Sequence, residues 1–181
     1  HPGWSMQALL HPGFDLANVS HRVPAAQTSM PLFDFINGQF DRSVTWKDVE
    51  WLARQWDGPL VIKGVLSAAD AQHAVDIGAR AIMISNHGGR QLEGTPAPVD
   101  CVRPIRDKIG NALDVIVDGG VRRGTHVIKA LCLGASACAI GRSYLYGLAA
   151  GGQAGVERAL EILRTEVLLD MTLLGTRNVA E

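Results

Sequence analysis

The sequence lacks several features that would assign it directly to a large class of proteins. Its 181 residues include three cysteines and no apolar run that approaches the roughly 18 residues of a membrane-spanning helix. The formal net charge of −1 provides no basic face for nucleic acid, so no nucleic-acid partner is predicted. The odd set of cysteines has no metal-ligand spacing, which predicts no metal site and buried structural thiols in a cytoplasmic protein.

Two further absences concern nucleotide binding and the start of the chain. No G-x-G-x-x-G motif follows an apolar strand and no G-x-x-x-x-G-K-[ST] occurs, so both common nucleotide-binding signatures of open α/β sheets are missing. The first residue is His1 and no signal peptide is present, so we expect the natural N-terminus to lie outside this sequence.

Residues 1–40 differ in composition from the rest of the chain. They contain four of the eight prolines and little regular periodicity, which predicts a long loop or mobile segment with one short helix near residues 4–10. Their Trp, Phe, Leu and Met content predicts burial against a missing part of the chain, and the alternative is contact with a membrane surface or a partner.

From Ser43 onward, apolar strands alternate with amphipathic helices. The predicted strands are 59–63, 80–85, 114–118 and 136–141, and the predicted helices are 43–56, 67–77, 98–109, 125–133, 143–149 and 153–174. Strands that are apolar on both faces predict a parallel sheet covered by helices. Such a sheet is either open and doubly wound or closed into a (β/α)₈ barrel.

Each predicted strand ends in a polar residue or a glycine. The strand ends and their neighbours are Lys63; Ser85 with His87; Asp118 with Gly119 and Gly120; and Gly141 with Arg142. Four such ends in register favour the barrel, because barrel enzymes build their active sites at the carboxyl ends of the strands.

Glycine and arginine are combined in the last two loops, DGGVRRG (118–124) and AIGRS (139–143). Backbone N–H groups before a helix and guanidinium groups suit a phosphate, which barrels often bind after strands seven and eight. The visible strands would then be five to eight. The alternative is a pair of tight turns with solvated arginines.

Three side chains suggest the chemistry of the site. Lys63 is suited to be a Schiff-base nucleophile, a fixed positive charge beside an anionic cofactor, or half of a structural ion pair. His87 is suited to be a general base or merely hydrogen-bonded, and Arg90 three residues later can bind a carboxylate through two hydrogen bonds. A base, a carboxylate clamp and a phosphate-bearing cofactor suggest oxidation or proton removal on a small organic acid.

Four stretches carry a family resemblance. VIKG (61–64), SNHGGRQL (85–92), DGGVRRGTHVIKALCLGA (118–135) and AIGRSYLYGLA (139–149) together resemble the FMN-dependent 2-hydroxy acid oxidase and dehydrogenase family. The resemblance covers residues 41–181 and is greatest for the lactate and mandelate dehydrogenase branch. It implies an α/β fold, the (β/α)₈ TIM barrel, of which this chain supplies about strands five to eight. It also implies FMN as cofactor and a small L-2-hydroxy acid as substrate.

The same resemblance implies roles for individual residues. His87 would be the catalytic base and would contact the substrate, while Arg90 would bind the substrate carboxylate. Lys63 would lie near the flavin N1–O2 edge, and Ser85 would hydrogen-bond the ring system. The remaining predicted cofactor contacts are Asp118 at the ribityl chain and Gly119, Gly120, Arg122, Gly141 and Arg142 around the phosphate.

The chain is shorter than a barrel of roughly 250 residues, so we expect a fragment whose partner is the missing N-terminal half. That half would supply the tyrosines near the substrate and the carboxylate that orients the base, so the isolated chain should be poorly active or inactive. The family further implies a homo-oligomer, usually a tetramer. Residues 1–40 correspond to the segment that carries the membrane contact in membrane-associated members, which suggests a peripheral contact with the inner face of the plasma membrane.

Two rival functions remain at this point. One is another FMN- or phosphate-binding barrel enzyme, such as an isomerase or an inosinate-dehydrogenase-like protein. The other is a non-catalytic fragment that binds flavin weakly or binds only its complementary half-barrel.

Overall fold

A computed structural model describes residues 2–10 and 32–181 of the chain. Two compact units, His1–Thr45 and Trp46–Glu181, are described separately. Most of the segment predicted to be a loop with a membrane or partner contact, residues 1 and 11–31, lies outside the described residues.

The first unit contains two short helices in its described part. Helix α1 (Pro2–Leu10) is the short helix that the sequence predicts. Helix α2 (Leu32–Gly38) was not predicted, and it corrects the expectation that residues 1–40 contain a single short helix. LFDFING has only seven residues, which is shorter than the window over which apolar periodicity predicts a helix.

The second unit is a four-stranded parallel sheet with helices between the strands, and the strand order is β1-β2-β3-β4. The strands are β1 (Val61–Val65), β2 (Ala81–Ser85), β3 (Asp114–Asp118) and β4 (Ala137–Ala139). The helices are α3 (Trp46–Gln55), α4 (Ala68–Asp76), α5 (Pro98–Ile109), α6 (Gly124–Cys132) and α7 (Arg142–Leu174). This is the alternation that the sequence predicts.

Strand β3 has its predicted limits, β2 begins one residue later than predicted, and β1 and β4 differ at both ends. Strand β1 begins and ends two residues later than predicted, so Lys63 lies within the strand. A bulge at Gly64 (φ +94°) shifts the register between Lys63 and Val65. Strand β4 ends at Ala139, and Gly141 is the residue that precedes α7. A glycine lies near the carboxyl end of both strands, and its missing Cβ permits a backbone that leaves the regular strand.

The core lies between the sheet and its covering helices. Ile82, Ile84, Val115 and Val117 from the sheet pack with Val102 and Ile105 of α5, and all are almost completely buried. Each such side chain contributes about 1.5–3 kcal/mol relative to an exposed one. This packing holds β2 and β3 side by side, and it therefore fixes the positions of their carboxyl ends.

The cysteines only partly match the expectation of buried thiols. Cys101 is buried, and burial, with a smaller effect of Asp100, raises the pKa of its thiol. Burial also raises the pKa of the half-buried Cys138. The prediction for Cys132 is wrong, because this residue at the end of α6 is exposed in an apolar groove that it shares with Leu173.

Helix α7 consists of two helical pieces. The backbone leaves helical geometry at Gly151 and Gly152, so the two pieces match the predicted helices 143–149 and 153–174. Gly147 and Gly155 meet backbone to backbone where the pieces cross, which leaves no room for a side chain at either position. Within residues 2–10 and 32–181, no helix is both long and apolar enough to cross a membrane.

We predict that Gly124→Ala will destabilise the chain by about 2–3 kcal/mol or more. A Cβ at this position would overlap Glu166 and the backbone nitrogen of Val167, at the contact between α6 and α7. Urea unfolding measures the effect. Gly38→Ala is the matched control, since a Cβ there meets no atom within 4 Å, and equal midpoints for the two variants would contradict the prediction.

Candidate active site

A cluster of three polar side chains joins the carboxyl ends of three neighbouring strands. Lys63 Nζ of β1 donates to Ser85 Oγ of β2 at 2.8 Å and to Asp118 Oδ2 of β3 at 2.6 Å. Ser85 Oγ donates to the same carboxylate oxygen at 2.7 Å. The parallel register places Ser85 directly beside Asp118. We call these residues the strand-end triad.

Ser85 has its hydrogen-bonding capacity fully used. Its side chain is completely buried, its hydroxyl donates once, and it accepts from Lys63 and from the backbone N–H of His87 at 3.1 Å. A hydroxyl offers one donor and two acceptor positions. The buried serine therefore links the strand-end triad to the following loop.

The loop after β2 has an unusual backbone. His87 has φ +56°, and Gly88 and Gly89 also have positive φ. This conformation is uncommon for residues other than glycine and is found where the surrounding structure imposes it. A Cβ on Gly64 would lie 3.1 Å from His87 Cε1, so the bulge in β1 makes the space that the imidazole ring occupies.

The Asp118 carboxylate has a pKa below its ordinary value. Partial burial raises this pKa, but hydrogen bonds from Lys63 and Ser85 and the positive charge of Lys63 together outweigh the burial, with a smaller effect of His87. The carboxylate is therefore charged at neutral pH and forms an ion pair with Lys63. Of the three roles considered for Lys63, this arrangement matches the ion pair and the fixed positive charge.

Nine of the ten predicted site residues line one cleft of about 320 Å³ at the carboxyl ends of the strands, and Ser85 lies buried beneath it. The nine are Lys63, His87, Arg90, Asp118, Gly119, Gly120, Arg122, Gly141 and Arg142. Strand β1 and the strand ends or loops at β2, β3 and β4 thus contribute to the same space. The roles assigned to these residues by resemblance stay predictions.

Side chains tie the loops around the cleft to one another. Arg142, the first residue of α7, donates to the carbonyl of Gly88 at 3.1 Å. Ser143 Oγ donates to the carbonyl of Val121 at 2.8 Å. The start of α7 is therefore bonded both to the His87 loop and to the DGGVRRG loop.

The cleft has the chemistry and the room for a phosphate-bearing cofactor. The guanidinium-bearing residues Arg122 and Arg142 both line it. A Cβ at Gly120 or Gly141 would meet no atom within 4 Å, so both glycines leave open space in the cleft. The residues present therefore fit an anionic group between the β3–α6 and β4–α7 loops.

Four residues that shape the site were not among the predicted ones. Ser143 is the second residue of α7, and no local sequence signal indicates that its hydroxyl donates to the carbonyl of Val121. Gly64 follows Lys63, and a glycine inside a strand pattern indicates a bulge. His126, whose Nδ1 lies 3.2 Å from the backbone nitrogen of Arg122, and Glu166, which contacts Arg123, have no local sequence signal.

We call the region of the cleft that comprises Gly120, Arg122, Gly141 and Arg142 the phosphate cradle. A partial parallel α/β barrel with a histidine, an arginine and this anion-compatible region together in one cleft is typical of a cofactor-dependent barrel enzyme. Comparison with known families identifies which one. The model of the FMN-dependent dehydrogenase family matches residues 1–181, and the chain belongs to this family of oxidoreductases.

Curated relatives support the same assignment. The chain is 41% identical over 182 residues to an L-lactate dehydrogenase of Vibrio cholerae serotype O1 (strain M66-2), and the match covers 100% of this chain and 48% of that protein. It is 42% identical to an L-lactate dehydrogenase of Xanthomonas campestris pv. campestris (strain B100), with 100% and 47% covered. The chain thus spans about half the length of the curated relatives it matches.

Solved structures agree with the fold. A flavocytochrome b2 double mutant with pyruvate bound superposes with a TM-score of 0.76 at 46% identity, over 78% of this chain and 38% of that chain. A mandelate oxidase variant with a monooxide FMN adduct gives 0.73 at 44% identity, over 76% and 44%. The predictions of the family, of a partial TIM barrel and of FMN as the family's cofactor are confirmed.

We predict that Asp118→Asn will lower the free energy of unfolding at neutral pH and that the loss will shrink as the pH falls below about 4. The pKa of Asp118 in the folded state lies below its ordinary value of 3.8. The stabilisation is therefore present above the unfolded-state pKa of about 3.9 and is lost as the pH falls through the folded-state value.

Urea unfolding of both proteins from neutral to acid pH measures this difference. Asp107→Asn is the control, because Asp107 forms an ion pair with Arg103 in which both side chains are more than 60% exposed. A stability difference for Asp118→Asn that grows toward acid pH would contradict the assignment.

Proposed function

We propose that the protein to which this chain contributes oxidises a small L-2-hydroxy acid to the 2-keto acid with FMN. The observation that carries this proposal is that His87 and Arg90 share one cleft with the Lys63–Asp118 ion pair and with the arginines of the phosphate cradle. Family membership supports the same reaction, since relatives of this chain are L-lactate dehydrogenases.

The reaction removes two electrons and two protons from the hydroxy acid. FMN, when bound, would accept the electron pair together with one of the two protons. His87 accepts a proton from the substrate. The hydrogen bond from the backbone N–H of His87 to Ser85 Oγ holds His87 at the rim of the cleft. Within residues 2–10 and 32–181, His87 forms a hydrogen bond through its backbone N–H but none through its imidazole ring. The ring is therefore free to act on a substrate.

Arg90 binds and orients the substrate. Its guanidinium is exposed at the cleft, where two parallel N–H groups can bind a carboxylate and bring the neighbouring carbon toward His87. Orientation of this kind raises the rate, because the substrate loses its translational and rotational entropy on binding and not in the chemical step.

Lys63 provides a fixed positive charge next to the cofactor. Its ammonium group is held by two acceptors, Ser85 and Asp118, and is nearly half exposed toward the cleft. A charge that is held in place before the reaction stabilises negative charge that develops nearby.

The base assignment can be tested in a completed barrel, in which this chain is fused behind the N-terminal half of the Vibrio cholerae relative. We expect the completed protein to bleach its flavin when L-lactate, mandelate or glycolate is added without oxygen. His87→Gln should slow bleaching about 10²–10⁴-fold, which is the usual contribution of a general base.

His73→Gln is the matched control, since His73 belongs to α4 and stacks on Trp46. A His87→Gln protein that bleaches at the wild-type rate would remove the base assignment. Failure of all three acids to bleach the flavin would favour another FMN-dependent barrel enzyme or a non-catalytic role.

We also predict that Arg90→Lys in the completed protein will raise KM about tenfold or more, with a smaller effect on kcat. Lysine keeps the charge but loses the pair of parallel hydrogen bonds to a carboxylate. Steady-state kinetics with lactate measures both constants, and Arg103→Lys on the exposed face of α5 is the control. An unchanged KM would contradict a carboxylate contact.

A further inference from the structure

Glu166 of α7 contacts the DGGVRRG loop although it lies more than 40 residues further along the chain. Its Oε2 accepts from the backbone N–H of Gly124 at 2.7 Å, and its Oε1 accepts from Arg123 Nε at 2.8 Å. The Glu166 side chain is 23% exposed and that of Arg123 is 65% exposed. One carboxylate therefore caps the first turn of α6 and pairs with the second arginine of the loop.

The charge of this carboxylate is well supported. The hydrogen bond from Arg123, followed by that from the Gly124 N–H, lowers the pKa of Glu166 below its ordinary range. Gly124 is buried, and a Cβ there would overlap the Glu166 side chain, so the two residues fit closely. Glu166 is thus ionised at neutral pH and closely packed against the start of α6.

The two adjacent arginines consequently have different environments. Arg123 pairs with Glu166, whereas Arg122 lines the cleft. The backbone between the cleft and α6 is held at further points, by Ser143 at the carbonyl of Val121 and by His126 at the nitrogen of Arg122. The loop therefore has a fixed register in which one arginine faces the cleft and its neighbour does not.

We propose that Glu166 is a positioning residue for the phosphate of the cofactor: by pairing with Arg123 and capping α6, it holds the loop in the register that presents Arg122 to the cleft. This inference rests on the proposed function insofar as the anion is the phosphate of FMN. Glu166 itself does not line the cleft, so its effect reaches the phosphate through the loop.

The sign of the effect separates positioning from simple charge. Removal of a carboxylate near an anion site should by electrostatics alone strengthen anion binding. Loss of the loop register should weaken it. Glu166→Gln is a mild change, because the amide oxygen can still accept from Gly124 while the ion pair with Arg123 is lost.

Titration of the completed barrel with FMN and with riboflavin, followed by flavin fluorescence, tests the proposal. For Glu166→Gln we expect the Kd for FMN to rise about tenfold, as for loss of a hydrogen bond between charged groups. The Kd for riboflavin, which lacks the phosphate, should stay the same. Glu161→Gln is the matched control, because this exposed residue of the same helix pairs only with Arg158 in the described part of the chain.

Unchanged or tighter FMN binding by Glu166→Gln would overturn the proposal. An equal loss for FMN and riboflavin would also overturn it, because it would indicate general destabilisation. If Glu166→Gln does not fold, Glu166→Asp keeps the charge on a shorter side chain and should weaken FMN binding selectively to a smaller extent.

Amide hydrogen exchange of the flavin-free completed barrel distinguishes failure of this inference from failure of the proposed function. Glu166→Gln should speed exchange in residues 119–124, and Glu161→Gln should not. A completed wild-type protein that binds neither flavin would count against the FMN proposal, and faster exchange in Glu166→Gln would still support the positioning role. Equal exchange in the two variants would overturn it.

Discussion

The ion pair between Lys63 and Asp118, with the buried Ser85 hydroxyl between them, is the interaction on which the rest of the site depends. A buried hydroxyl must have hydrogen-bond partners, because an unpaired one costs about 1–3 kcal/mol. Ser85 finds them on both neighbouring strands and in the backbone of His87. The hydrogen bonds that satisfy the buried Ser85 hydroxyl therefore also hold His87 at the rim of the cleft, so that stability and the geometry of the site have one cause.

Glycine determines how the loops leave the strands. Gly64 makes the bulge in β1 and the space for the imidazole ring, and Gly88 and Gly89 continue the left-handed turn that begins at His87. Arg142 holds this turn from the opposite side of the cleft. The unfavourable φ of His87 is maintained by neighbours from β1, β2 and α7. Proteins commonly maintain strained backbone at functional sites in this way.

Local and periodic features could be predicted from the sequence, whereas long-range pairing could not. Helix α5 was predicted with its observed limits, because Pro98 marks its start and Gly110 follows its end. The bulge shifted the end of β1 relative to the prediction, and the seven residues of α2 were too few for a helix to be predicted. The ten predicted site residues lie together because strand ends meet at one rim and their loops follow directly. The contact of Glu166 could not be predicted, since no local pattern indicates which residue of a later helix reaches α6.

The loops around the cleft are held in different ways. The β3–α6 and β4–α7 loops and α7 are joined by side-chain hydrogen bonds between residues of this chain. His87, in contrast, is held by the hydrogen bond from its backbone N–H to Ser85 Oγ, and its ring forms no hydrogen bond within the described residues 2–10 and 32–181. Binding of an anion requires fixed donors in one place, whereas orientation of an imidazole requires a partner for one of its ring nitrogens. The described residues therefore provide fixed donors for an anion but no partner that would orient the ring of His87.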